Sequence, residues 1–379
     1  MANIRYRKRG NKGLWAYEIR HAGKTIAYNS GFKTKKLAET EAEPILQELR
    51  CGKRISKDIS LAELYQEWVE LKILPSNRSE ETKKKYLLRK KTIIKLFGDK
   101  KVTQIRASEY QRIMNSYGKT VSRNFLGRLN TSIHQSIQMA VADKILVDDF
   151  TQHVELFSSK KQQSVLDKYL HAEKDYLDLI SAVKEKFDYQ RSIVPYIIYF
   201  LLKTGMRFGE LIALTWDEVD FEKGFLKTYR RFNTLSHKFV PPKNKTSIRI
   251  VPIDEECIKI LQVLHTQQEK ANKELGIRNH SKMIFQHFGY IHSVPDIASV
   301  NKALNVILNK LDIYPIITTK GARHTYGSYL WHKGFDLGVI AKILGHKDIS
   351  MLVEVYGHTL EEKIYEEFNN IKYIWKETP

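Results

Sequence analysis

Six side chains in the second half of the chain have the types and spacing to do chemistry on a phosphate. Arg207 sits in TGMRFGEL, just after a glycine turn, and Arg323 near the start of an amphipathic helix in the stretch from Lys320 to Thr359. Lys320 precedes Arg323 by three residues, so one helical turn would carry both. His346 follows a helix stop at Gly345, and Tyr356 comes ten residues later. PPKNKTSIRIVP adds Lys243 or, one register step on, Lys245.

Breaking a phosphodiester without a metal needs a nucleophile in line, positive donors on the non-bridging oxygens and a proton for the departing alkoxide. Arginine suits the second task, because its planar fork reaches two phosphate oxygens and stays charged. A phenol ordinarily titrates near pH 10, and two guanidinium groups close by would favour its phenolate. Tyr356 is therefore the nucleophile candidate, and a hairpin lysine the general acid. His346 would donate a hydrogen bond or a proton. FGELIAL is expected as a helix whose N-terminus adds its own attraction for an anion. Glu210, one turn after Arg207, would either hold that arginine or simply match the helix dipole. Singly, each feature has a plainer explanation: a tyrosine at a helix end usually packs, and LGH usually stops a helix. Their order and spacing together argue for a site.

The elements that must position these groups belong to a large and very basic chain. At 379 residues it exceeds the usual single domain, and 63 Lys+Arg against 43 Asp+Glu give a formal charge of +20. With 42% hydrophobic residues it can build real cores, so disorder is excluded, and the charge points to a polyanionic partner, by default nucleic acid. Cys51 and Cys257 stand far apart in no metal-ligand spacing, which suits reduced thiols in a cytosolic protein. The N-terminus has no apolar stretch of the signal-peptide kind, and the apolar run at 193–202 is too short to span a bilayer, so neither a leader nor a membrane segment is expected.

Taken in order, IRYRKR, LWAYEIRHAG and KTIAYNSGF read as three strands, with Trp15, Tyr17 and Ile19 alternating. Thr34 would cap a helix to about residue 49 that buries Leu37, Ile45 and Leu49, with Pro44 kinking or delaying it. The basic face of this small module suits a strand-based groove reader. CGKRISKDIS is a linker, after which an all-helical bundle of four or five helices follows. Ser79 begins one helix and Gly98 with Asp99 ends it. Residues 122–147 form another, with Leu126, Leu129, Ile133, Ile137 and Ala140 on one face. Lys83, Lys84, Lys85, Arg89, Lys90 and Lys91 load one helix, Arg123 and Arg128 another; each run is either a solvated face or a DNA contact. A second linker leads to a mixed unit: a helix at 169–187, a buried helix ended by Gly205, three strand-like pieces (GFLKTYRRF, HKFVPP, TSIRIVPI) forming one small antiparallel sheet, then helices at 255–272, at 299–311 and through the tail to Lys372. The expected fold is multidomain and mainly α, with domains at 1–56, 57–157 and 164–379.

TGMRFGELIALTWDEVDF, PPKNKTSIRIVPI, TTKGARHTYGSYL and ILGHKDISMLVEVYGH, in this order and with the histidine-to-tyrosine interval kept, resemble the tyrosine recombinases, in particular integrases of temperate phages and conjugative transposons. The resemblance spans the whole chain. It implies an arm-type DNA-binding domain at 1–56, a core-binding domain at 57–157 and a catalytic domain at 164–379. It also implies that Arg207 and Arg323 grip the scissile phosphate, that Lys243 protonates the leaving 5′-hydroxyl, that His346 assists, and that Tyr356 forms a 3′-phosphotyrosine bond. The family's H-x-x-R begins here with Lys320, which removes a neutral-pH proton acceptor and leaves a phosphate-contact role. Strand exchange by such chemistry needs no ATP, no divalent metal and no other cofactor. The implied partners are double-stranded DNA at core-type and arm-type attachment sites, three further copies in a homotetramer on two duplexes, and accessory bending or excision proteins, in the cytoplasm of a bacterial host at its nucleoid. Ile364, Phe368 and Ile371 of the tail are available to pack on their own or a neighbouring subunit. Two other functions fit parts of the pattern, a DNA-binding regulator without catalysis and a type IB topoisomerase. A metal-dependent nuclease would need an Asp/Glu/His cluster with ligand spacing.

Overall fold

The computed structural model describes residues 3–9, 13–21, 24–50, 59–143, 149–161, 164, 166–290, 293–350 and 352–353. Tyr356 and the tail after it lie outside the described residues, as does Cys51. The chain divides into two compact units, Met1–Gln162 and Gln163–Pro379.

In the first unit, β1 (Asn3–Arg9), β2 (Leu14–His21) and β3 (Lys24–Phe32) form an antiparallel meander. The register sets Ile4 opposite Ile19 and Tyr6 opposite Tyr17, so apolar side chains share one face while Arg5 and Arg7 point to solvent. That face packs on α1 (Lys35–Arg50). Thr34 does accept from the Leu37 N–H, at 3.3 Å. The buried stripe, however, is Ala38, Ala42 and Leu46 with Ile45 beside it, and Leu37 is 54% exposed. Small residues win because they let the helix approach the aromatic sheet face closely. The helix runs through Pro44 without ending. The carbonyl left without its donor belongs to Thr40, an exposed residue.

The same unit contains a helical bundle: α2 (Leu61–Trp68), α3 (Glu80–Phe97), α4 (Ala107–Gly118) and α5 (Arg123–Ala142). Ser60 and Glu63 make a reciprocal capping box, Ser79 and Ser122 cap the next long helices, and Gly98 ends α3 at φ 58°. A single π turn, Val69–Ile73, extends α2. All five residues expected on one face of α5 are buried, against Leu64, Tyr65, Phe97 and Tyr110. The cations of α3 divide. Lys83 and Lys85 pair with Glu80 and Glu81 of their own helix, and Arg89 turns over Tyr86 to reach Ser132. Lys84 and Lys91 stay exposed.

The second unit is built around α7 (Val194–Thr204), apolar on every side and packed by α6 (Glu173–Lys184), α10 (Ile297–Lys310) and α11 (Thr319–His332). Pro195 stands in its first turn, where a missing N–H costs nothing. Each fully buried side chain here, Ile197, Phe200 and Leu202 among them, contributes about 1.5–3 kcal/mol. Helix α6 begins at Glu173 rather than 169, because Tyr169 and Leu170 drop into cores of this unit instead of continuing the helix. A short α8 (Phe208–Leu211) follows α7. The expected single sheet is two. β4 (Val219–Asp220), β5 (Phe225–Thr228) and β8 (Arg249–Pro252) form one, with Leu226 opposite Val251; β6 (Arg231–Asn233) and β7 (Lys238–Val240) form a separate hairpin. The run GFLKTYRRF breaks at Tyr229 and Arg230, since Arg230 leaves the strand to pair with buried Glu218 at 2.9 Å. α9 (Glu255–Glu274) and α12 (Leu337–Leu344) complete the unit. No described helix is long and apolar enough to cross a membrane.

Candidate active site

Two helix ends make the site. α7 and α12 each stop at a left-handed glycine, Gly205 at φ 59° and Gly345 at φ 67°. A Cβ on Gly205 would sit 2.5 Å from Tyr326, and one on Gly345 would sit 2.7 Å from the Thr246 carbonyl, so both turns need glycine for space as well as backbone. Each glycine's carbonyl is taken by an arginine from elsewhere. Arg323, buried in α11, donates to the Gly205 carbonyl at 2.9 Å and to the Leu344 carbonyl. Arg207 donates to the Gly345 carbonyl at 3.1 Å. Arg323 thereby bridges the two helix ends, and both guanidinium groups that the sequence singled out are fixed to the end of α12. His346 directly follows one of them and is buried.

Arg207 is not inside a helix but at the N-cap of α8, which has one turn only, so the longer helix FGELIAL is not formed. Its guanidinium is held by Glu210 at 2.7 Å and by the Ser247 hydroxyl at 3.1 Å, and keeps 31% of its surface exposed. Glu210 thus holds the arginine, and its second oxygen also accepts from the Arg207 backbone N–H. Burial pushes the Glu210 carboxyl up, but the Arg249 and Arg207 guanidiniums more than offset this and hold it below the usual carboxylate range. It is a charged, 3% exposed anchor.

His346 is driven the other way. Burial first, then Arg323, Arg207, His324 and Arg249, lower its pKa to about 4. At neutral pH it is an uncharged imidazole, suited to hydrogen bonding rather than to giving up a proton as imidazolium. Its Nδ1 is buried with no hydrogen-bond partner among the described residues, which is costly unless a bound group completes it. Lys320 lies in the first turn of α11 and is exposed, one turn before the buried Arg323. Lys243 and Lys245 are both exposed and flank Asn244, whose side chain accepts from the Ser247 hydroxyl at 2.9 Å.

Two residues of the cluster were not foreseen. His324, next to Arg323, is buried and lowered to about 4 by burial, Lys320, Arg323 and Lys168. Arg249 on β8 bonds Glu210 at 3.0 Å, the Ser247 carbonyl at 3.1 Å and the Ile343 carbonyl at 2.6 Å. The sequence held no signal for it: Ile248 and Ile250 are exposed while the arginine between them turns inward, the reverse of an ordinary half-buried strand. No group of three or more His, Cys, Asp or Glu among the described residues could hold a metal ion.

A mainly helical unit thus gathers two anchored arginines and a neutral histidine, an arrangement chemically able to hold a phosphate. The family model described as the Phage integrase family matches residues 170–363, just over half of the chain. The chain belongs to this family, and is a tyrosine-type site-specific recombinase. It is 26% identical to the XerC-like tyrosine recombinase of Caldanaerobacter subterraneus subsp. tengcongensis, over 90% of each chain. It is 28% identical to the ICEBs1 integrase of Bacillus subtilis, over 69% of this chain and 68% of that one. Among solved structures, the Tn1549 transposon integrase in complex with transposon right end DNA is similar at a TM-score of 0.66 and 19% identity, covering 83% of this chain and 100% of that one. A lambda integrase tetramer bound to a Holliday junction gives 0.55 and 16% identity, covering 93% and 94%. At these identities the structures speak for the fold.

Proposed function

We propose that the protein integrates or excises a mobile element by cutting and rejoining duplex DNA through a covalent bond between Tyr356 and a 3′-phosphate. The tyrosine attacks phosphorus as its phenolate, the bond to the 5′-oxygen breaks, and that oxygen takes a proton from Lys243 or its neighbour Lys245. In the reverse step the 5′-hydroxyl of a partner strand returns its proton to that lysine, attacks the same phosphorus and releases the phenolate. One phosphodiester replaces another, so the exchange needs no ATP and no metal. Arg207 and Arg323 hold the non-bridging oxygens, neutral His346 donates a hydrogen bond to one of them, and Lys320 contacts phosphate at the site's edge.

The observation that carries this reading is the convergence of Arg207, Arg323 and His346 on the glycine-ended helices α7 and α12, with one buried imidazole nitrogen lacking a partner among the described residues. We assign residues 1–56 to arm-type sites, 57–157 to core-type sites and 164–379 to catalysis. The active assembly is four copies on two duplexes, as with the lambda integrase tetramer, aided by DNA-bending or excision proteins and working at the nucleoid of a bacterial cytoplasm. A nicked suicide duplex tests the chemistry: the short 5′-ended fragment diffuses away and traps the protein on the 3′-phosphate. Binding without any trapped adduct would reduce the protein to a DNA-binding regulator.

A further inference from the structure

The hydrogen bonds of Arg249 close a loop around Arg207. Everything that Arg207 grips is also gripped, or flanked, by Arg249. Glu210 gives one oxygen to each arginine, at 2.7 and 3.0 Å. Ser247 gives its hydroxyl to Arg207 and its carbonyl to Arg249, both at 3.1 Å. At the end of α12, Arg249 takes the Ile343 carbonyl and Arg207 that of Gly345, two residues on. The Ser247 hydroxyl continues to Asn244, which stands between the two candidate acid lysines. Three bonds from one planar group to three separate elements need the arginine fork; an ammonium is a point charge.

We propose that Arg249 is a positioning residue that holds the phosphate clamp and the lysine-bearing turn in one shared geometry, so that leaving-group protonation is in place whenever Arg207 is. With its side chain 7% exposed it does not itself touch DNA. This rests on the proposed function. A purely structural Arg249 would affect folding but would not link two catalytic tasks.

The two tasks are separable by chemistry. When the 5′-bridging oxygen is replaced by sulfur, the departing group is a thiolate, whose pKa near 8.5 in cysteine lets it leave without a proton. Tyr356 still attacks phosphorus, the phosphorus–sulfur bond breaks, and the electron pair stays on sulfur. Adduct formation would be timed with saturating protein, well below each variant's Tm, on oxygen and sulfur duplexes. On the oxygen duplex Arg249→Lys should be about 10–100-fold slower, since a misplacement near 1 Å costs on the order of 10²-fold. On the sulfur duplex it should recover part of that deficit. The double variant Lys243→Ala, Lys245→Ala should recover nearly all of its own deficit, and Arg207→Ala none. Full recovery by Arg249→Lys, no recovery, or an unaltered rate on oxygen each overturns the joint role. Should Arg249→Lys not fold, Arg249→Gln carries the same expectation, because it keeps a planar donor group but cannot make all three bonds, while Arg207 still neutralises Glu210. Absence of any adduct with the unaltered protein would overturn the proposed function and this proposal with it. Equal rates in unaltered and Arg249→Lys protein would overturn this proposal alone.

Discussion

Arg323 and His346 meet the phosphate problem with opposite means. Arg323 spends two donors on the carbonyls of Gly205 and Leu344, which fixes the direction of its fork before any ligand arrives. Preorganised donors of this kind lower a barrier because they need not reorient as charge develops. Arg323→Ala should slow adduct formation by about 10²–10³-fold or more, read from single-turnover trapping, with duplex affinity changed much less. His346 is held neutral by burial and by the cations around it, and His324 shares that fate. The consequence for stability has a definite sign. Their pKa values are near 4 in the folded protein and ordinarily near 6.5 when unfolded, so between those values the unfolded chain binds more protons. Stability should therefore fall as pH drops from about 6.5 toward 4, and His346→Gln should flatten that slope in Tm measured across the range. An unchanged slope in both His346→Gln and His324→Gln would show that neither imidazole is held neutral.

The helix ends decide whether these side chains meet. Gly345→Ala must place a Cβ 2.7 Å from the Thr246 carbonyl in a left-handed backbone, which costs about 1–2 kcal/mol for the backbone alone. It should lower Tm and also slow cleavage, because the Gly345 carbonyl holds Arg207. An alanine variant with normal cleavage would mean that Arg207 does not depend on that turn. On α3, Lys84→Ala and Lys91→Ala should each reduce the salt dependence of duplex binding by about one unit of slope if they meet phosphates, whereas Lys83→Ala should do less, since Lys83 is already paired with Glu80. Element boundaries were readable in the sequence wherever a local device sets them: Ser79 and Ser122 at helix starts, Gly98, Gly205 and Gly345 at helix ends. What depends on distant partners was not. The buried face of α1 was assigned to Leu37, Ile45 and Leu49, but the aromatic sheet selects Ala38 and Ala42, with Ile45 only beside them. The strand GFLKTYRRF looked continuous because nothing local announces that Arg230 must reach Glu218. Arg207 and His346 stood out in the sequence because a glycine turn precedes each, and Arg323 because it lies near the start of an amphipathic stretch. Arg249 was passed over as a strand residue, since only the fold shows which way it points.

On the scale of the whole chain, a formal charge of +20 fits a protein whose substrate is a polyanion. Duplex affinity should weaken steeply with salt, about 10³-fold or more between 50 and 200 mM if six or more phosphates are neutralised. A weak salt dependence in filter-binding or anisotropy titrations would mean that the excess charge is not at the DNA surface. The cleavage step should respond quite differently, because the clamp residues are buried or anchored and little screened. The central claim concerns a single oxygen atom. Mass spectrometry of peptides from protein trapped on a nicked duplex should find a 3′-phosphoryl nucleotide on Tyr356, and Tyr356→Phe should abolish the adduct while still binding duplex. An adduct on another residue, or one that survives Tyr356→Phe, would contradict the account.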